Sequence, residues 1–209
     1  MQLKATTTLY FIRHGETLKN KQHIRQGVQI NDYLDTQGVI QAQTLAKLAL
    51  HLDLDVLYTS HLRRAEETAV YINNMLPEKI QIFHDYRLTE RDFGSLTGKP
   101  MEEWDKLLPN HKELEAMQEY DYRPFGGESA DDVRQRSVGA ILDIIENFSH
   151  SNIGIVTHNG VIRILLFHFP SITRIYRGKD GSDKDITNAD IYEWEITDGR
   201  IANLKSLLK

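Results

Sequence analysis

The chain has 209 residues, 40% of them hydrophobic and 26% charged, with a formal net charge of −5. Such a chain is long enough for one soluble globular domain, residues 1–209, with a sizeable core, and its acidic balance argues against a nucleic-acid partner, which wants a basic face. It contains no Cys, which removes disulfides, thiolate metal sites and Cys nucleophiles and fits a cytoplasmic setting. Met1–Thr8 is mixed and polar and does not read as a targeting segment. The longest apolar stretch, Val161–Phe169, holds Arg163 and His168 and is too short to span a bilayer, so no membrane association is expected.

Leu9–Ile12 reads as a buried strand broken at Gly15, so Arg13 and His14 sit where a strand gives way to a loop. Leu18–Leu34 is polar and irregular. Asp35 or Thr36 can cap a helix whose apolar positions Val39, Ala42, Leu45, Ala46, Ala49 and Leu50 recur at helical spacing. Val56–Thr59 is the next strand; Ser60 can cap a helix through Ala65, Ala69, Ile72 and Met75 that stops near Pro77. Ile80–Phe83 alternates like a third strand. This strand–helix alternation implies right-handed crossovers and a largely parallel sheet.

Periodicity lapses from Tyr86 to Glu128, with short helices expected around Met101–Leu108 and His111–Tyr120. The segment is too long for an ordinary connection and reads as a functional insertion or lid, about 99–125. Ser129 then caps a strong helix reaching Phe148, a β-branched run ends at His158, and a helix follows over Val161–Phe169. Ile191–Ile196 and Ile201–Leu207 flank Asp198-Gly199, a hairpin signal whose free edge could pair two copies into a homodimer. The expected fold is α/β, a three-layer α/β/α sandwich with a mostly parallel central sheet, an antiparallel C-terminal hairpin and the lid insertion.

In parallel α/β sheets ligands bind outside the carboxyl ends of the strands. Two strands here finish in a His beside a Gly turn, at His14-Gly15 and at His158-Asn159-Gly160. A lone His is most often a half-buried structural residue; the weight rests on the pair and its neighbours. Arg13 can fork two hydrogen bonds to a phosphate, and a neutral His14 offers a nitrogen nucleophile. Arg63 and Arg64 fall in the first turn of a helix, where cations are unfavourable unless an anion is held there or a nearby acid pairs with them. Glu90 follows the third strand and can overhang the same crevice; displacing an alkoxide from a phosphate ester needs a proton donor, and a carboxylic acid can supply it. Taken alone it reads more simply as a surface Glu paired with Arg87 or Arg91. Gly126-Gly127-Glu128-Ser129 is either a tight turn before a helix cap or a phosphate-proximal loop with Glu128 orienting an Arg or His. No Walker pattern, His-Glu-x-x-His or calcium loop is present, and neither metal nor cofactor is expected. Together Arg13, Arg64 and His158 would neutralise the phosphoryl oxygens, His14 would attack phosphorus, and Glu90 would protonate the leaving oxygen and then help activate water.

These motifs resemble, in order, those of the histidine phosphatase superfamily, also called phosphoglycerate-mutase-like. Arg13-His14-Gly15-Glu16-Thr17 is similar to its nucleophile motif, and Ser60–Thr68 to its Ser-x-x-x-Arg-Ala-x-x-Thr motif, which selects Arg64, directly before Ala65, as the catalytic Arg. Leu88–Gly98 resembles the segment carrying the proton donor, and Gly126–Ser129 and Val156–Gly160 the later motifs. The resemblance implies substrate-binding roles for Asn20, Gln26 and Gly27; Ser129 and Asn159 are expected beside the substrate as well. Asn159 stands where many members have Gly, a position that could demand an unusual backbone angle, which Asn tolerates. The resemblance implies a phosphomonoesterase of histidine acid phosphatase type acting on a small phosphorylated metabolite. The alternatives are a phosphoglycerate mutase and, less favoured, a non-catalytic phosphate or phosphoprotein binder. The insertion carries more acids than bases, which disfavours a mutase substrate with a second acidic group. Trp104, Leu107, Leu108, Met117 and Tyr122 could line an apolar substrate wall or pack the insertion onto the core.

Overall fold

The computed structural model describes residues 6–149, 151–168, 174–176, 188–197 and 200–202. Six strands form one sheet: β1 (Thr7–Arg13), β2 (Val56–Thr59), β3 (Ile82–His84), β4 (Asn152–Thr157), β5 (Arg174–Tyr176) and β6 (Ile191–Ile196), in spatial order β3-β2-β4-β1-β6-β5. The first four run parallel; β6 is antiparallel to both β1 and β5. Alternation along β1 divides the core. Leu9 and Phe11 join one apolar cluster and Tyr10 and Ile12 the other, because successive strand side chains point to opposite faces.

One face is covered by α2 (Thr36–Ala49) and α3 (Arg63–Met75), through Leu45, Ala46, Ala49, Ala65, Ala69 and Ile72. The other is covered by α6 (Ala130–Asn147) and α7 (Asn159–His168). This is the three-layer arrangement that the alternating pattern implies. A four-residue helix, α1 (Leu18–Lys21), interrupts the segment read as irregular; Thr17 and Asn20 close a reciprocal capping box there.

The insertion carries α4 (Met101–Leu107) and α5 (His111–Ala116). Its Trp104 and Tyr122 are fully buried and stand edge-on to Phe93, with ring centroids 5.1 and 5.3 Å away. These two residues therefore pack the insertion onto the core, while Leu107 and Met117 are exposed. Two expectations need correction. Ser60 does not cap α3: Leu62 is its N-cap, with no side-chain bond. Strand β6 has, among the described residues, antiparallel partners in β1 and β5, and residues 200–202, expected to open a second hairpin strand, are helical; Asp198-Gly199 and 203–207 lie outside the described residues. Among the described residues no helix is long and apolar enough to cross a membrane.

Candidate active site

β1 and β4 pair in parallel with Arg13 opposite Thr157, so the next residue of each, His14 and His158, leaves the sheet at the same level. The His14 N–H donates to the Thr157 carbonyl at 3.2 Å, and the two imidazole centroids lie 5.0 Å apart. The neighbouring strand β2 ends at Thr59, and the following Ser60 hydroxyl meets His158 Nε2 at 2.8 Å. Ser60 thus seats the second His, the job it holds in place of a helix cap.

His14 Nδ1 lies 2.7 Å from the Gly15 carbonyl. A carbonyl only accepts, so Nδ1 carries the proton and a neutral His14 has its lone pair on Nε2. Burial, then the charges of Arg64 and Arg13, hold His14 well below the ordinary imidazole range. Burial, Arg64 and His14 do the same to His158. Both rings are therefore neutral near pH 7, the state a nitrogen nucleophile requires.

The two Arg of α3 separate cleanly. Arg63 is exposed and stacks over Tyr33, 4.6 Å from the ring centroid. Arg64 is buried, donating to the carbonyls of Ile30 at 2.8 Å and Gly27 at 2.9 Å, while its Nε has no hydrogen-bond partner among the described residues. Burial lowers its pKa to about 10, which leaves it charged at neutral pH. Gly27 can present that carbonyl because its φ is +53°, a conformation that favours glycine. Beside it Gln26 Nε2 donates to Thr17 Oγ1 at 2.7 Å, tying this loop to the nucleophile motif. Thr68 of α3 accepts the Gly15 N–H at 3.1 Å, so two distant motifs meet over His14.

Glu90 is placed by α7. Its Oε1 and Oε2 accept from the Gly160 N–H at 3.1 and 3.2 Å, and Oε1 also accepts from the Arg91 N–H at 2.9 Å. A Cβ on Gly160 would stand 2.1 Å from Glu90 Oε1, so only glycine admits the carboxylate there. From behind, Arg136 donates to the carbonyls of Arg87 at 2.7 Å and Thr89 at 2.8 Å. Glu128 grips Arg136 at 2.7 and 2.9 Å and accepts the Asp92 N–H at 2.9 Å. The orienting role conceived for Glu128 is thus directed at Arg136 and the loop that bears Glu90. Arg136 had no motif signal of its own beyond a helical position eight residues after Glu128.

Arg13, His14, Asn20, Gln26, Gly27, Arg64, Glu90 and Asn159 line one cavity of about 510 Å³. His158 is fully buried beside His14 rather than in the lining. Ser129 is elsewhere: its hydroxyl caps α6 by accepting the Asp132 N–H at 3.2 Å and donates to the Asp132 carboxylate at 2.7 Å, in a separate recess with Asp131 and Asp132. An N-cap signal and a ligand signal look alike in sequence, and here the cap prevails. Asn159 begins α7 and is not among the residues with positive φ, so no special backbone angle is needed. None of the five insertion residues considered for a substrate wall lines the cavity; Ile24, Phe93 and Met101 do. His23 and Arg163 line it too, as do Arg25, Arg91 and Glu115. The meeting of these last three is a tertiary event between segments up to 90 residues apart, beyond any local motif.

A parallel sheet whose strand ends gather two neutral imidazoles, buried guanidinium groups and a carboxylate around one cavity is a site that can hold a tetrahedral oxyanion against a nitrogen nucleophile. Residues 9–206 match the family model of the histidine phosphatase superfamily, branch 1, and the chain belongs to that family. It is 34% identical over 135 residues to fructose-2,6-bisphosphatase TIGAR of Xenopus tropicalis, covering 64% of this chain and 48% of that one. The chain thus spans about half the length of the TIGAR relatives it matches. It is 33% identical to the metal-independent phosphoserine phosphatase of Arabidopsis thaliana, over 76% of this chain and 67% of the other. Among solved structures, Bacillus stearothermophilus YhfR superposes with a TM-score of 0.69 at 33% identity, covering 77% and 78% of the two chains.

Proposed function

We propose that the protein is a metal-independent phosphomonoesterase of histidine acid phosphatase type, acting through a phosphohistidine on a small phosphorylated metabolite. The observation that carries this reading is the committed tautomer of His14: Nδ1 is held by the Gly15 carbonyl, which leaves Nε2 as the lone-pair nitrogen in a cavity shared with Arg13, Arg64 and Glu90. The relatives named as phosphatases support the same reaction class. In the first step the Nε2 lone pair attacks phosphorus and the P–O ester bond breaks, its electron pair leaving with the alcohol oxygen, which takes a proton from Glu90. In the second, water attacks phosphorus as Glu90 removes its proton, and the P–N bond breaks to return the pair to Nε2. Arg13 and Arg64 offset the charge on the phosphoryl oxygens in both steps.

The test is phosphate release from an aryl phosphate by wild type and His14→Ala, with rapid-quench trapping of an acid-labile phosphoenzyme. Wild type is expected to form it, and the variant to lose it along with turnover, by about 10³-fold or more. Normal turnover by the variant refutes the nucleophile. A mutase reading is favoured by 35% identity to phosphoglycerate mutase-like protein 4 of Arabidopsis thaliana over 74% of this chain. Interconversion of phosphoglycerates without net phosphate release would establish it instead.

A further inference from the structure

The cavity that holds His14 is also lined by Arg25, Arg91 and Glu115. Arg25 lies over Trp104, 4.5 Å from the ring centroid, and Arg91 over Tyr120 at 4.6 Å. Aromatic faces fix both guanidinium groups in place. Two such groups lining one cavity would ordinarily recruit a substrate anion. Here the protein supplies the anion. Glu115 of α5 reaches in and accepts through Oε1 from Arg25 and from the Tyr122 hydroxyl. The same oxygen stands 3.6 Å from Arg91 Nη2. Arg91 and then Arg25 depress the Glu115 pKa to about 2 against the opposing effect of burial, so the carboxylate stays ionised at neutral pH. Glu115 therefore already holds the place between the two guanidinium groups that a substrate anion would take; the same cavity is also lined by apolar Ile24, Phe93 and Met101 and by His23 and Arg163.

We infer that Glu115 is a built-in counter-anion that closes the Arg25–Arg91 pair to substrate anions, so that the enzyme selects phosphomonoesters whose non-phosphate end is uncharged. This rests on the phosphomonoesterase reading above and adds the substrate class. A substrate carboxylate entering here would have to displace Glu115 from its partners, leaving a buried charge unpaired, or sit beside it; both are costly. An amide or hydroxyl pays neither penalty.

The experiment compares kcat/KM for 3- and 4-carbamoylphenyl phosphate with their carboxyphenyl counterparts, which match in shape and differ in tail charge. Wild type is expected to favour the carbamoyl esters by about tenfold or more. Glu115→Gln leaves the guanidinium pair without its counter-anion and is expected to bring the ratio to one or below. Arg25→Gln keeps the Glu115 charge and removes one of its two cationic partners, so the ratio is expected to rise; this variant serves where Glu115→Gln does not fold. Equal use of both tails by wild type, or a ratio unmoved by the variants, overturns the inference. Turnover of the carbamoyl esters through a phosphoenzyme tests the phosphomonoesterase reading separately, since the ratio has meaning whether that turnover is fast or slow.

Discussion

At the scale of single residues, the site depends on keeping imidazoles neutral among guanidinium groups. His14 and His158 are both held below 6.5, chiefly by burial and next by Arg64. In the unfolded chain they titrate near ~6.5, so as pH falls below that value the unfolded state binds protons that the folded state refuses. Their contribution to stability is complete above the unfolded value and is lost progressively as pH drops toward the lower folded values. The melting temperature is therefore expected to fall between pH 7 and pH 5, and the double variant His14→Asn, His158→Asn to show a flatter profile over that window. An unchanged slope in the double variant would assign the loss to other groups. Sequence alone pointed to both His, to Arg64 over Arg63 once the motif was aligned, and to Glu90. It misplaced Ser129, because a hydroxyl before a helix satisfies two readings equally well until its partner, Asp132, is seen.

At the scale of elements, the start of α7 acts as the mount for Glu90. The Gly160 N–H belongs to the first turn, where unpaired backbone donors and the helix dipole favour a carboxylate. Gly160→Ala would drive a methyl group into Glu90 Oε1 and against Arg91, whose Nε would lie 3.0 Å away. The expected result is a larger loss of kcat with alkyl phosphates than with aryl phosphates, because an alkoxide depends more on a proton donor than a phenoxide does. Equal loss on both, at unchanged KM, would separate Glu90 from the proton-transfer step. Helix periodicity made α2, α3 and α6 legible in the sequence. The C-terminal pairing was not, since Asp198-Gly199 is a sound local hairpin signal but β6 finds its partners in β1 and β5. Local turn chemistry proposes a pairing; the sheet's free edge selects among candidates.

At the scale of the whole molecule, the sheet order brings β1, β2 and β4 side by side, and their ends deliver His14, Ser60 and His158 to one level. In the proposed reaction, charge neutralisation by Arg13 and Arg64 would take the place that metal ions hold in other phosphoryl-transfer sites. Among the described residues no group of His, Cys, Asp and Glu side chains is arranged to hold a metal. The proposed mechanism expects excess chelator to leave the rate of phosphate release unchanged, and strong inhibition reversed by an added divalent cation would require a different mechanism. The sequence by itself determined the layered α/β plan and pointed to the candidate reacting groups, because strand ends, helix spacing and compact motifs are local properties. The meeting of Arg25 and Arg91 with Glu115, the hold of Arg136 on the Glu90 loop and the neutrality of the imidazoles were decided only by the tertiary structure. Each depends on burial and on distances between side chains far apart in the chain, and neither quantity exists before the chain is folded.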